Sequence, residues 1–354
     1  MKNLDKYLTL LSDGQGLLLT SRFSRHYGAQ FDIAEGVAVV SKSGCRYFTD
    51  SRYIESAENG IQGFEVLDIA PVGYIKRIND AIADFGITEL GFEEPFLTYA
   101  EFMSYEKNLN CRLVPRNAEI NGFRGTKEDW ELELMRKAQA ITDKAFSEVI
   151  GRIKVGMTEL ELQAELIYCL YRNGATGLAF DPIVVSGPNT SLPHGVAGER
   201  KIQAGDFITM DFGASYMGYC SDMTRTVAVG FASEEMQTVY NTVLQAQKAG
   251  LAVSRAGVPG AEIDAAARKV ITDAGYGPYF GHGYGHSLGL EIHENPSPNA
   301  KNPEPMPLKA VASAEPGIYL PGKFGVRIED TCVYLEDGIE ILTHSPKELI
   351  VVPV

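Results

Sequence analysis

The sequence is short of basic charge, poor in cysteine and free of long apolar runs. Lysine and arginine number 32 against 46 aspartates and glutamates, a formal net charge of −14. That deficit excludes the extended basic surface that nucleic acids and anionic membranes require, so neither is expected as a partner. No apolar run reaches the roughly 18 residues that a bilayer-spanning helix needs. The start, MKNLDKYLTLLSDGQG, has only a short apolar run from Leu8 to Leu11 and does not read as a signal peptide. The five cysteines, Cys45, Cys111, Cys169, Cys220 and Cys332, are scattered, odd in number and without a CxxC pair. They read as reduced thiols of a cytoplasmic protein rather than a disulfide framework or a zinc site. Histidine is also scarce, with six in the chain, so a cluster of them is informative.

Three of the six fall in one stretch, Tyr279 to Pro296 (YFGHGYGHSLGLEIHENP), as His282, His286 and His293, with glycines around the first two. Glycine lets the backbone approach a ligand closely, and histidine binds metals and carries protons near neutral pH. Taken alone, a Gly-rich loop with incidental histidines would look the same. The acidic residues on either side of it decide between the two.

With 354 residues and 45% hydrophobic content, the chain fits two soluble globular domains. Residues 1–122 alternate strand-like runs (Leu17–Leu19, Val37–Val40, Phe64–Leu67) with a helical pattern from Tyr74 to Phe85, which predicts an α/β domain. Asp50 and Arg52 are placed to pair, in a structural or interfacial role. Near Asn121–Gly125 the pattern breaks. Thr126 is placed to cap a long helix striped by Leu134, Ala138, Ile141, Ala145 and Val149. Trp130 on that helix reads as packing. Thr158 and Glu161 form a capping box for a second helix, with Met157 and Leu162 as its hydrophobic staple and Asn173-Gly174 as its stop. Gly257 to Gly275 repeats the layout of Gly156 to Gly174, each following a long helical pattern. A duplication with halves at about 126–230 and 231–354 explains this, although capped amphipathic helices also resemble one another by chance.

A β-rich segment carrying acids follows each repeated helix. Asp206–Phe212 and Cys220–Val227 read as strands joined through Gly213–Gly218, which would bring Asp211 and Asp222 roughly opposite. Glu315 and Glu329 are equidistant from Gly322 in EPGIYLPGKFGVRIE, so a hairpin turning at Pro321-Gly322 would set them face to face. Like charges across a strand pair are unfavourable unless something neutralises them. Two such pairs beside a histidine-rich loop point to four carboxylates gathered around cations. Carboxylates with an imidazole suit Mn²⁺, Co²⁺, Zn²⁺ or Mg²⁺, and can hold two ions with positions left open for water.

DFGASYMGYCSDMTRT, HGYGHSLGLEIHENP, SAEPGIY and GVRIEDT resemble, in order and spacing, the motifs of the metallopeptidases that include prolidase, aminopeptidase P and methionine aminopeptidase. The resemblance implies an α+β fold, a pita-bread (creatinase/aminopeptidase) catalytic domain with pseudo-twofold duplication over residues 123–354. A smaller α/β creatinase-type domain would precede it over residues 1–122, on the strength of TDSRY and GFE. It implies two divalent ions, with Mn²⁺ foremost and Co²⁺ or Zn²⁺ as substitutes. Their ligands would be Asp211, Asp222, His286, Glu315 and Glu329, with Asp222 and Glu329 bridging. SGPNTSLPHG resembles the motif of a substrate-side histidine and points to His194. His282, His293 and Arg327 match the further active-site positions. The implied reaction is cleavage of the bond before a proline, in small peptides with proline second, by an Xaa-Pro dipeptidase or aminopeptidase. A hydroxide held between the ions would attack, and Glu315 would shuttle the proton. A homodimer is implied as well.

Departures are few. Ser287 stands where the family often has glycine, Ser313 where threonine is common, and Ser297 where some prolidases have an arginine for the dipeptide carboxylate. Unassisted, His194 reads as a surface loop residue, His293 as structural and Arg327 as a partner of Glu329 or Asp330. His26 and His344 match nothing. A metal-free creatinase-like hydrolase, or a silent peptide-binding protein on the same fold, would both have lost ligands, and all five are present.

Overall fold

The computed structural model describes residues 3–354. The chain divides into two compact units, Met1–Phe123 and Arg124–Val354. None of the described helices is long and apolar enough to cross a membrane.

In the first unit the elements run α1 (Asn3–Thr9), β1 (Gln15–Leu19), α2 (Arg22–Ala29), β2 (Val37–Ser41), β3 (Gly44–Thr49), α3 (Ile54–Gly60), β4 (Glu65–Asp68), α4 (Gly73–Phe85), β5 (Glu89–Phe92), α5 (Tyr99–Asn108), β6 (Arg112–Pro115) and α6 (Asn117–Gly122). The strands make one mixed sheet in the order β4-β3-β2-β1-β5-β6. β2 is buried along its whole length, which explains a near-continuous β-branched run in place of alternation. α4 lays Ile78, Ala81 and Ile82 into the core shared with Leu18, Val39 and Phe48. Asp50 and Arg52 do pair, and Arg52 reaches Glu35 as well.

The second unit begins with α7 (Asp129–Val149) and α8 (Glu159–Arg172). Short strands follow: β7 (Gly177–Leu178), β8 (Ile183–Ser186), β9 (Phe207–Phe212), β10 (Ala214–Tyr216), β11 (Tyr219–Cys220) and β12 (Met223–Val229). A second helix pair, α9 (Glu234–Val253) and α10 (Gly260–Asp273), precedes β13 (Val311–Ala314), β14 (Gly317–Leu320), β15 (Phe324–Arg327), β16 (Asp330–Leu335), β17 (Gly338–Ile341) and β18 (Val351–Val352). α7 starts later than its apolar pattern implied. Its cap is Glu128, in a capping box with Glu131, and not Thr126. The Lys127 amide donates to Lys309 O at 3.0 Å, which keeps the chain extended up to the cap. Leu132 and Met135 are buried on its inner face, while Leu134 is only half-buried. Trp130 packs edge-to-face on Tyr219.

The two halves repeat in hydrogen bonding as well as in sequence. Gly156 N donates to Ile202 O at 2.9 Å, and Ile202 N to Met157 O at 2.8 Å. In the second half, Gly257 N donates to Met306 O at 2.8 Å, and Met306 N to Val258 O at 2.9 Å. Each pairing closes the entry to the second helix of its half. β9 and β13 then begin five residues beyond Ile202 and Met306, and Asp211 and Glu315 stand nine residues beyond them. Each half has its own apolar core, one around Phe146, Leu166 and Met210, the other around Val243, Ile263 and Val326.

The strand registers aim the acids. In the β9–β12 ladder Asp211 lies opposite Thr224, not Asp222. The two acids are offset rather than directly opposite because Gly213–Gly218 is more than a turn. Ala214–Tyr216 leaves the hairpin to pair with β7 and β11, and this shifts the register by two. A two-residue shift keeps the face, so Asp222 remains a diagonal neighbour of Asp211. A side chain at Gly213 would meet Ser221 O at 1.8 Å, so only glycine allows this close crossing. In the second half, Gly317 pairs with Arg327 and Ala314 with Asp330 in one continuous register, which sets Glu315 opposite Glu329.

Candidate metal centre

A cavity of about 900 Å³ opens in the second unit, and all nine side chains singled out from the sequence line it. Donor atoms of Asp222, His286 and Glu329 lie within 4.8 Å of one another. His286 Nε2 is 3.3 Å from Asp222 Oδ2 and 3.3 Å from Glu315 Oε1. The opposite ring nitrogen, Nδ1, is 3.2 Å from Ser287 O. A carbonyl only accepts, so Nδ1 carries a proton there, and Nε2 is the nitrogen that faces the carboxylates and can bind an ion once its own proton is displaced. Ser313 steadies two of these groups together. Its hydroxyl accepts from His286 N at 2.9 Å and donates to Glu315 Oε1 at 3.0 Å.

The carboxylates are more deeply buried than their partners justify. Asp222 is 3% exposed and Glu329 1%. Asp211 Oδ2 is held by Arg327 Nη2 at 2.5 Å, and Glu329 Oε2 by Thr224 Oγ1 at 2.6 Å. The other oxygen of each is not satisfied. Asp211 Oδ1, Asp222 Oδ1 and Glu329 Oε1 are buried with no hydrogen-bond partner among the described residues. Burial, and then the neighbouring acids, push Asp222 up to about 7 and Glu329 well above the carboxylate range. Burial raises Asp211 too, against the pull of Arg327. Burial opposes charge on His286, but Asp222 and Glu315 outweigh it and lift the ring to about 9. Without a cation, these groups keep protons to spread the negative charge. Orphaned buried oxygens beside an imidazole nitrogen whose proton an ion can displace form a donor set that fits hard or borderline divalent ions.

Arg327 links the cluster to its surroundings. Besides Asp211 it donates from Nε to Thr224 Oγ1 at 3.0 Å, and from Nη1 to Tyr319 Oη at 2.8 Å and Pro193 O at 3.2 Å. Tyr319 Oη is 2.9 Å from His282 Nε2, while His282 Nδ1 is 2.9 Å from Gly283 O. The carbonyl again fixes the proton on Nδ1, so Tyr319 donates to His282. Burial lowers the affinity of His282 for a second proton. Burial lowers His293 as well, followed by the charge of His286, whose ring centre is 4.4 Å away.

His194 is carried by a loop that one buried carboxylate clamps at both ends. Glu159, fully buried at the start of α8, accepts from Ser186 N at 2.6 Å and Ser186 Oγ at 2.8 Å on one side of the loop. On the other side it accepts from Gly198 N at 3.1 Å. Sequence reasoning did not single out Glu159. It also missed Tyr319 and Thr224. Thr224 had a legible signal, since it stands two residues from Asp222 on one strand face.

The family model described as "Metallopeptidase family M24" matches residues 133–336, and "Creatinase/Prolidase N-terminal domain" matches residues 11–125. The chain therefore belongs to metallopeptidase family M24 and carries the creatinase/prolidase type of N-terminal domain. Its second unit is the pita-bread fold. The chain is 41% identical over 337 residues to an uncharacterised peptidase of Bacillus subtilis, covering 95% of each. Its structure is similar to that of an Xaa-Pro dipeptidase from Bacillus anthracis, with a TM-score of 0.95 and 40% identity over 99% of each chain. It is similar also to an X-Pro aminopeptidase from Thermotoga maritima, with a TM-score of 0.93 and 36% identity over 99% of each.

Proposed function

We propose that the protein hydrolyses the peptide bond before a proline, using two divalent ions held by Asp211, Asp222, His286, Glu315 and Glu329. The observation that carries this reading is the trio of buried, unpartnered oxygens on Asp211, Asp222 and Glu329 beside His286 Nε2. The relatives named for Xaa-Pro dipeptidase and X-Pro aminopeptidase activity support the substrate class. Manganese suits a set of four carboxylates and one imidazole. When bound, such ions supply Lewis acidity for the scissile carbonyl and make water nucleophilic at neutral pH.

The protein's own groups do the rest. Glu315, oriented by Ser313, takes a proton from the attacking water and passes it to the proline nitrogen as the bond breaks. That transfer matters because a tertiary amide nitrogen is a poor leaving group until it is protonated. His293, neutral near pH 7 through burial and the nearby His286, donates a hydrogen bond to the carbonyl oxygen as it gains charge. His194 positions the substrate from its clamped loop, and Arg327 holds Asp211 in place. Phe180, Pro182, Ile183 and Ile292 give the cavity an apolar wall suited to a proline ring.

Hydrolysis of Met-Pro and Met-Pro-Ala by chelator-stripped protein, with Mn²⁺ or Co²⁺ added back, tests the reading. Metal-dependent cleavage before proline is the expected result. A folded, metal-loaded protein that cuts neither peptide contradicts it.

A further inference from the structure

Three permanent cations line the cavity among the described residues: Arg268, Arg327 and Lys301. Two are already committed. Arg268 grips Asp264 through Nε at 2.7 Å and Nη2 at 2.9 Å, and donates to Phe280 O and His282 O. Arg327 is bound to Asp211 and Tyr319. Lys301 forms no ion pair within 4.0 Å and no side-chain hydrogen bond among the described residues.

Its backbone, by contrast, is fixed. Lys301 N donates to Asn299 Oδ1 at 2.9 Å, Asn302 N to Asn299 O at 3.0 Å, and Asn302 Nδ2 to Ser297 O at 2.9 Å. Gly285 N, next to His286, donates to Pro298 O at 3.1 Å, so this loop is docked on the histidine loop. An ammonium on a fixed loop therefore shares a cavity with the four clustered carboxylates and with Asp181, and stays beyond ion-pair reach of each. A ligand that spans the interval needs a cationic or metal-binding end at the carboxylates and an anionic end at Lys301.

An Xaa-Pro dipeptide has that polarity. Its amino group and scissile carbonyl belong at the acidic cluster, and its single negative charge lies on the far side of the proline. We propose that Lys301 binds the C-terminal carboxylate of the substrate and so favours peptides that end at the proline. The inference rests on the Xaa-Pro reading above. An ammonium supplies the charge without the planar fork of a guanidinium, and Ser297 alongside is uncharged.

The test compares kcat/KM for Met-Pro and for its amide, Met-Pro-NH2, on the full-length manganese-loaded protein. The wild type is expected to prefer the free acid. Lys301→Met is expected to reduce the acid-over-amide ratio about tenfold or more, mainly through KM for the acid, and Lys301→Arg to retain it. A hydrogen bond to a charged group is worth a change of this size. A wild type that cleaves acid and amide equally, or a ratio that Lys301→Met leaves within about twofold, overturns the proposal. Failure of the folded wild type to cleave either compound overturns the Xaa-Pro reading instead.

Discussion

Two kinds of buried carboxylate lie side by side in the second unit, and adjacent residues fall on opposite sides of the division. Asp330 is fully buried, and its oxygens meet Arg225 Nη2 at 2.8 Å and the Lys347 ammonium. Glu294 is buried against Lys127 at 3.0 Å and Arg124 at 3.6 Å. Burial alone would raise Glu294, but those two cations hold it below the ordinary carboxylate range. Glu329, one residue before Asp330, faces other acids and rises. His293, one residue before Glu294, turns to the cavity. Along an extended chain successive side chains point to opposite faces, so the entry to β16 carries a candidate ligand and a structural acid next to each other. A charge matched inside the protein holds the fold together. One left unmatched marks a place for an ion from outside.

Removing one acid of each kind should break this comparison most sharply. Asp222→Asn is expected to lower kcat/KM on Met-Pro by about 10³-fold or more, the scale of losing a group that acts on developing charge. It should leave the metal-free protein as stable as the wild type or more so, because it removes a buried like charge. Asp330→Asn is expected to do the reverse, costing roughly 3–5 kcal/mol of stability by stranding the buried Arg225 and the partly buried Lys347. Denaturant melts of the two metal-free variants, with assays of the loaded forms, check both. If the variants lose stability equally, the distinction is wrong.

The pH dependence of the metal-free protein comes next in size. Asp222 is raised from 3.8 to about 7 and His286 from 6.5 to about 9. A group raised on folding binds its proton more tightly in the native state, so its contribution is complete below the unfolded value and fades as pH climbs. The Asp222 contribution is therefore lost between about pH 4 and 7, and that of His286 between about 6.5 and 9. Melts without metal should show stability falling across that range, with the lower part of the slope shallower in Asp222→Asn, Asp211 and Glu329 supplying the remainder. Added Mn²⁺ should offset the loss, since metals compete with these protons and bind better at higher pH. A flat profile without metal would contradict the assignment.

The smallest expected effect is at the His194 loop. Glu159→Gln keeps an acceptor for Ser186 but turns a donor toward Gly198 N, which frees one end of the loop. KM for Met-Pro is expected to rise several-fold, on the order of 1 kcal/mol, with metal content unchanged. A loss of metal would mean that Glu159 acts on the cluster and not on the loop.

Much of this arrangement was legible in the sequence because it depends on spacing. Glu315 and Glu329 are symmetric about Gly322, and the hairpin keeps that symmetry. The Thr158–Glu161 capping box and the repeated Gly-to-Gly helices are local devices that appear as written. What was not legible depends on partners far along the chain. The Asp211–Asp222 register shifts because β10 pairs with β7, from before the hairpin. The α7 cap moves because Lys127 bonds to Lys309. Glu159 acts through Ser186 and Gly198, and Tyr319 through His282, all tens of positions away, and no local pattern marks them.

Metal stoichiometry is the most direct test of the central claim. The protein, stripped with chelator and dialysed against Mn²⁺, would be analysed for bound metal per chain, beside Asp222→Asn and Asp330→Asn. Two ions in the wild type, loss of tight binding in folded Asp222→Asn and retention by whatever fraction of Asp330→Asn remains folded is the predicted result. A folded wild type that binds no divalent ion yet cleaves Met-Pro, or an Asp222→Asn protein that binds two ions as tightly as the wild type, would contradict it.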